Sequence, residues 1–148
     1  MADSVSIKLE GLDEVRKAIR KLPEKPARRV MRKALRAGST VIIKRARQLT
    51  PVRTGRLKRS WRRRFSKSFD PNITAEVLNA APYAHLVEFG TGPRKDGKTG
   101  ASRGVMPAHP MIRPAVEGQI EAINAAMRKK ADESIKKEWE KLTRTKRG

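Results

Sequence analysis

The stretch that decides the fold lies between residues 82 and 114, with PYAHLVEFGT at residues 82–91 and MPAHPMIRP at residues 106–114. The first half contains the only Tyr, one of the two His and a single acid, Glu88, within an apolar run. The second half places three prolines within eight residues, just before a helical pattern. Residues 83–89 therefore form a short apolar element, which seven residues are too few to assign as helix or strand.

The residues on either side of these prolines carry two different patterns. Residues 90–105 contain five glycines and little apolar content, which predicts a long mobile loop rich in Gly and Lys. After Pro114, apolar residues recur at spacings of three and four, which predicts one long amphipathic C-terminal helix. They are Val116, Ile120, Ile123, Met127, Ala131, Ile135, Trp139 and Leu142. Residues 143–148 form a basic tail that we expect to be disordered.

Upstream of this stretch the chain alternates between short elements and one long helix. Residues 5–9 alternate apolar and polar side chains, as a half-buried strand does. A short amphipathic helix is predicted from Leu12 to Leu22, and a long central helix from about Pro26 to Leu49. Pro51 ends the central helix, because the residue before a proline disfavours helical geometry.

Two further segments predict an antiparallel pair of strands, Leu57–Lys67 and Ile73–Asn79, joined by a turn at residues 70–72. The fold class is therefore α+β, with a small antiparallel sheet packed by the central and C-terminal helices. We expect a single domain over residues 1–142, since the chain has 148 residues.

Positive charge is the strongest compositional signal, with 36 Lys and Arg against 15 Asp and Glu and a net charge of +21. Much of it lies on residues 25–67, which predicts contact with a polyanion, either nucleic acid or an acidic protein surface. The alternative is a solvated face that only maintains solubility. The predicted contact residues are Arg53, Arg56, Lys58, Arg59, Arg62, Arg63 and Arg64. No membrane contact is expected, because no run approaches the about 18 apolar residues that a span requires.

The sequence offers little for catalysis, and we expect no enzyme, no cofactor and no metal. Residues 92–99 match the phosphate-loop pattern G-x-x-x-x-G-K-[ST], but a poor helix former follows them and no later apolar strand ends in the acidic residue that would help to hold Mg²⁺. His85 and His109 are the only histidines and there is no cysteine, so several converging metal ligands are not available. Glu88 is interpreted as a salt-bridge partner rather than as a buried general base.

Three short patterns follow one another in an order that covers nearly the whole chain. They are TPVxTGxLxxS at residues 50–60, YAxxVEFGT at 83–91 and PAxPMIxPA at 107–115. Together with the strand and helix before them and the helix after them, they resemble the head–tail joining, or tail-completion, proteins of lambda-like long-tailed bacteriophages.

This resemblance implies a structural virion protein without catalytic activity, assembled in the host cytoplasm and located at the neck or tail end. It implies a homo-oligomeric ring, with a hexamer favoured, that surrounds the DNA channel and contacts neck or connector proteins and tail-tube proteins. Non-specific contact with genomic DNA is possible within such a ring. The implied interface residues are Tyr83, Glu88, Phe89, Gly90, Thr91, Met111 and Arg113. The alternative function is a nucleic-acid-binding protein that uses the basic face of residues 25–67.

Overall fold

The structure is a computed structural model that describes residues 12–67 and 73–146. Its elements in chain order are α1 (Asp13–Arg20), α2 (Glu24–Leu49), α3 (Arg56–Arg59), β1 (Trp61–Phe65), β2 (Ala75–Asn79), α4 (Ala84–Phe89), β3 (Thr91–Lys95), β4 (Ser102–Met106), α5 (Ile112–Glu117) and α6 (Ile120–Thr145). Long helices and two small antiparallel sheets confirm the predicted α+β class. The predicted strand at residues 5–9 and the turn at residues 70–72 lie outside the described residues.

The core is formed mainly where α2 packs against α6. Apolar residues spaced by three or four positions place one buried stripe on each helix, which is what such spacing predicts. Gly38 lies at the closest approach, because a Cβ atom there would be only 2.7 Å from the Met127 Cγ atom and 3.3 Å from Ile123 Cγ2. The absence of a side chain at Gly38 therefore allows the two helices to pack closely.

An ion pair between a buried carboxylate and an exposed arginine also joins these helices. The Glu138 side chain on α6 is 1% exposed, and its carboxylate accepts hydrogen bonds from Arg29 on α2, at 2.7 Å from Nη2 and 3.3 Å from Nε. These hydrogen bonds hold the pKa of Glu138 below its ordinary value. Because the carboxylate is both buried and satisfied, it supports the α2–α6 contact without the penalty of an unpaired buried charge.

The β1–β2 sheet packs on α2 through a tryptophan and a threonine. Trp61 is 2% exposed, and its Nε1 donates a hydrogen bond to Thr50 Oγ1 at 2.9 Å. The Thr50 hydroxyl donates to the Ala46 carbonyl oxygen at 2.6 Å, so the end of α2 is tied to the first strand. The strands pair antiparallel from Trp61 opposite Asn79 to Phe65 opposite Ala75. The predicted strand pair is confirmed in this part.

The predicted strand at Leu57–Lys67 is wrong at its beginning, because Arg56–Arg59 form the short helix α3. Gly55 adopts a left-handed conformation with φ of 73°, which starts the helical turn. The Arg59 amide then donates to the Gly55 carbonyl oxygen, and the Ser60 hydroxyl donates to the Arg56 carbonyl oxygen. These local hydrogen bonds satisfy the backbone before strand pairing begins.

The long loop predicted for residues 90–105 is also wrong, because β3 and β4 form an antiparallel hairpin there. The turn between the strands is organised by Asp96, whose Oδ1 atom accepts hydrogen bonds from the Lys98 and Thr99 amides at 2.9 and 3.1 Å. Asp96 is also ion-paired with Arg103 on β4. A side chain that caps its own turn gives order to a segment that has almost no apolar content.

The single C-terminal helix predicted after Pro114 is divided into α5 and α6 at Gly118 and Gln119. Gln119 has φ of −132° and ψ of 11°, so the helical hydrogen-bond ladder is interrupted although the apolar spacing continues across it. At its other end α6 continues to Thr145, past the residue 142 boundary predicted for the domain. None of the described helices has the length and apolarity required to cross a membrane.

Candidate interaction surfaces

Residues 82–114, where the sequence concentrates its motifs, form a joint between the sheet, the hairpin and α5. Glu88 at the end of α4 is buried, and its carboxylate accepts hydrogen bonds from two backbone amides at the start of α5. The Met111 nitrogen is 2.9 Å from Oε2, and the Ile112 nitrogen is 3.2 Å from Oε1. A carboxylate is favourable there because helix N-termini carry unpaired amides and partial positive charge.

The interpretation of Glu88 as a salt-bridge partner is therefore wrong. Among residues 12–67 and 73–146 no Lys, Arg or His lies within ion-pair distance of its carboxylate. Its partners are backbone amides that come 23 and 24 positions later in the chain. Glu88 thus fixes the angle at which α5 leaves the joint.

Close packing and hydrogen bonds also hold the joint together where the hairpin begins. Gly90 has φ of 73°, and a Cβ atom on it would be 2.6 Å from the Met106 carbonyl oxygen. Thr91 Oγ1 accepts a hydrogen bond from the Met106 amide at 3.3 Å. His109 Nε2 lies 2.9 Å from the carbonyl oxygen of Leu49 at the end of α2. Hydrogen bonds between side chains and the backbone therefore connect the joint to both the hairpin and the central helix.

The residues predicted at the interface differ in exposure, with Gly90 and Thr91 half-buried. Phe89 is 59% exposed and Tyr83 is 37% exposed, whereas Met111 is 1% exposed. The Arg113 side chain is 78% exposed and forms an ion pair with Glu117 at 2.9 Å. Phe89 lines a groove of about 220 Å³ beside Glu88. Other residues lining this groove are Trp61, Leu78, Ala81, Ala84 and His85.

The seven cations predicted to contact a polyanion do not share one face. Residues Arg53, Arg56, Lys58 and Arg59 are exposed in and before α3. Along β1 the exposure alternates, so Arg62 and Arg64 are exposed while Arg63 is half-buried on the side that packs on α2. Arg62 also bends back, with Nη1 2.7 Å from the Arg59 carbonyl oxygen.

Arg63 belongs to a group of three arginines that surround one aromatic ring. We name this group, formed by Arg32, Arg36, Arg63 and Phe65, the arginine cluster. The three guanidinium carbons lie 5.3, 5.8 and 5.9 Å from the centroid of the Phe65 ring, within the range of cation–π attraction. Arg63 Nη1 donates to the Arg36 carbonyl oxygen at 2.8 Å. Burial, followed by repulsion from Arg36, lowers the pKa of Arg63.

The predicted contact set did not include Arg32 and Arg36, although both lie within residues 25–67. The signal available in the sequence is their spacing of four residues, which places them on the same side of α2. In the described part of the chain no acid forms an ion pair with Arg32, Arg36 or Arg63. Three guanidinium groups therefore converge without a neutralising carboxylate.

A basic groove of about 500 Å³ lies beside this cluster and shares Arg32 with it. The groove is also lined by Lys25, Arg28, Arg29 and Lys67, and Glu24 is the one acid among the described residues that line it. Glu24 is 3.6 Å from Arg28, and Arg29 is bound to Glu138. Among the residues that the structure describes, the positive charge of α2 is thus partly compensated at the groove and not compensated by an acid at the arginine cluster.

The candidate phosphate loop at residues 92–99 lies in the hairpin, where strand β4 follows the turn. The amides of Lys98 and Thr99 are already bound to Asp96, so they do not point at an open phosphate site. In the ranges that the structure describes, no three His, Asp or Glu side chains are grouped so as to hold a metal ion.

The described residues form a small α+β body with an exposed hairpin and large charged surfaces. This arrangement is typical of a protein that acts through contacts with other macromolecules. A family model described as "Bacteriophage HK97-gp10, putative tail-component" matches residues 13–90. The chain belongs to this HK97 gp10-like family of phage tail components, which confirms the resemblance, and a tail component is a structural part of the virion. Neither the curated proteins nor the solved structures contain a significant match.

Proposed function

We propose that the protein joins or completes the phage tail at the head–tail interface, as one subunit of a ring around the DNA channel. The observation that carries this proposal is the family match over residues 13–90, which includes α2, the β1–β2 sheet and the joint up to Gly90. The order of the three sequence patterns points to the same class. A hexamer is the favoured ring, and its neighbours are neck or connector proteins on one side and tail-tube proteins on the other.

The exposed residues of the joint are the best candidates for subunit contacts. Phe89 presents most of an aromatic ring to solvent, and such rings are typical anchors of protein interfaces. Tyr83 and Arg113 are exposed as well. Glu88 and Met111 lie inside the chain and support these contacts by holding α4 and α5 together.

The test is electron microscopy of lysates from a phage that lacks this gene. DNA-filled heads beside separate tails, or tails of uncontrolled length, support the proposal, and normal joined virions contradict it. Complementation with Phe89→Ala is expected to leave the defect, although the variant folds. Complementation with Trp139→Ala, an exposed aromatic side chain on α6, is expected to restore joined virions.

The second candidate function is non-specific nucleic-acid binding by the basic face of residues 25–67. The arginine cluster favours it, because three converged guanidinium groups with no acid paired to them in the described ranges would be stabilised by phosphate. Under this function the isolated protein binds DNA, and the logarithm of its affinity falls linearly with the logarithm of the salt concentration. The double variant Arg32→Gln, Arg36→Gln weakens binding more than Lys136→Gln, Lys137→Gln, which removes the same charge from α6.

A further inference from the structure

The β3–β4 hairpin packs little against the other elements of the described chain, and we call residues 91–106 the arm. Every residue from 92 to 105 except Asp96 is exposed. The two strands pack mainly against each other. Both faces of this two-stranded ribbon are therefore open to a partner, in contrast to the β1–β2 sheet, which is covered by α2.

The turn of the arm is ordered by contacts within the arm itself. Its only acid, Asp96, accepts hydrogen bonds from the amides of Lys98 and Thr99 and is ion-paired with Arg103. The Asp96 amide donates to the Ala101 carbonyl oxygen at 2.8 Å. The acid is thus fully engaged, and the remaining cations of the arm are not neutralised by it.

Those cations are Arg94, Lys95 and Lys98, and no carboxylate of the described residues forms an ion pair with them. Arg94 lies opposite Gly104 and Lys95 opposite Ser102, so neither faces an acid across the ribbon. Arg94, Lys95 and Lys98 are all exposed. The arm therefore presents three exposed positive charges at its turn and on the strand end beside it.

The chemistry of the arm does not suit an apolar protein contact or added strands. Its only large exposed hydrophobic residue is Val105. Pro93 lacks an amide donor, the register shifts at two places, and cations flank both edges, all of which disfavour pairing with another strand. The arm of a second copy is electrostatically unsuitable as the occupant, since it carries the same three exposed cations.

We propose that the arm binds in the groove of a nucleic-acid duplex, with Arg94, Lys95 and Lys98 contacting phosphates. The major groove of DNA is about 12 Å wide and admits a two-stranded β-ribbon. The five residues of β3 extend roughly 17 Å, at about 3.3 Å per residue, which is long enough to enter a groove about 8.5 Å deep. The contact is with the backbone and does not select a sequence.

This inference rests on the second candidate function, and it adds a contact site that residues 25–67 do not contain. The arm and the arginine cluster are on different elements of the chain, since the cluster is formed by α2 and β1. Their contributions to DNA affinity can therefore be removed separately.

The experiment measures binding of the full-length protein to a 30-base-pair duplex over a range of salt concentrations. The arm variant carries Arg94→Gln, Lys95→Gln and Lys98→Gln. The matched control carries Lys129→Gln, Lys136→Gln and Lys137→Gln on α6, where all three side chains are exposed. Both variants lower the net charge from +21 to +18, as 21 minus 3 gives 18.

The salt slope is the fall in the logarithm of the DNA affinity per unit of the logarithm of salt concentration. We expect this slope to be smaller by about 2 to 3 for the arm variant, because each phosphate contact contributes about 0.9 to it. The control keeps nearly the wild-type slope. Equal slopes for the two variants, with wild-type binding intact, would overturn the arm inference and leave the second candidate function standing. Absence of DNA binding by the wild-type protein would overturn both.

An acidic protein partner is the remaining alternative, and poly-glutamate is the probe for it. Loss of poly-glutamate binding by the arm variant, together with an unchanged DNA slope, would overturn the inference in favour of that partner. Retention of poly-glutamate binding with a reduced DNA slope supports it.

Discussion

The helical body and the arm of this protein are both regular structure, but they are stabilised in opposite ways. The α2–α6 body is held by buried apolar residues and by the Arg29–Glu138 ion pair. The arm is held by the hydrogen bonds and the ion pair of one exposed turn. An isolated two-stranded hairpin is marginally stable in water, so the arm depends on its local turn while the body depends on packing between distant residues.

The comparison predicts that added volume destabilises the body and not the arm. Gly38→Leu is expected to lower the free energy of unfolding by about 3 kcal/mol, because it overpacks the α2–α6 contact. At Gly97 in the arm turn a Cβ atom would have no neighbour within 4 Å, so Gly97→Leu is expected to change the free energy of unfolding by less than about 0.5 kcal/mol. Denaturant unfolding measures both, and equal losses would contradict the comparison.

The joint between the two regions is predicted to be sensitive to a single methyl group. Gly90→Ala places a side chain at φ of 73° and a Cβ atom 2.6 Å from a backbone oxygen, which should cost about 2 kcal/mol in unfolding free energy. Gly92→Ala, two residues further on, meets nothing within 4 Å and serves as the control. A Gly90→Ala protein as stable as the Gly92→Ala protein would show that the joint tolerates movement.

The body is also predicted to lose stability at acid pH through Glu138. Hydrogen bonds from Arg29 lower the pKa of Glu138 from its ordinary value of 4.5 in the folded protein. The contribution is therefore present above about pH 4.5 and is lost as the pH falls through the lowered pKa. Glu138→Gln should flatten the dependence of thermal stability on pH in that window.

The control for this measurement is Glu140→Gln, the same chemical change at an exposed position of α6. It should leave the acid limb of the stability curve as it is in the wild type. An acid limb unchanged by Glu138→Gln would show that the Arg29–Glu138 ion pair does not link α2 and α6 energetically.

The smallest effect is expected in the arm. Asp96→Asn removes the ion pair with Arg103 and weakens the hydrogen bonds from the Lys98 and Thr99 amides. We expect faster hydrogen exchange at those two amides, with no change in the melting temperature, since the arm does not contribute to the core. Asp132→Asn on α6 is the control.

The wild-type arm should show the same loosening when Asp96 is protonated. Hydrogen bonds from the Lys98 and Thr99 amides, followed by the one from Arg103, lower the pKa of Asp96 from its ordinary value of 3.8. Faster hydrogen exchange at these two amides is therefore absent above about pH 3.8 and develops as the pH falls below it.

A melting temperature that falls with Asp96→Asn would mean that the arm is part of the cooperative body.

The long helices could be predicted because their apolar residues recur at spacings that only a helix brings together. The arm could not, because residues 90–105 lack apolar alternation, and their order comes from the Asp96 side chain and its hydrogen bonds. The break at Gly118 and Gln119 was missed because the apolar spacing continues across it. The α3 turn was missed because Leu57, Trp61 and Phe65 fit either a helix or a strand.

The candidate surfaces were predicted in part. Glu88 and Phe89 stood out as an acid and an aromatic ring within a distinctive stretch, but the sequence did not reveal that Glu88 caps α5. The basic segment was recognised as well, without its division between exposed residues such as Arg62 and the arginine cluster around Phe65. The assignment of the joint to a subunit interface stays a prediction.

The sequence alone determined the charge of +21, the buried faces of the helices, the proline and glycine stops and the family patterns, because these are read from single residues or from neighbours within about four positions. Only the tertiary structure decided which charges meet. It brought Arg63 to α2, Arg29 to Glu138 across 109 positions and Glu88 to the start of α5, contacts that depend on how the elements pack. Packing brings distant residues together, so no local pattern in the chain records these pairs.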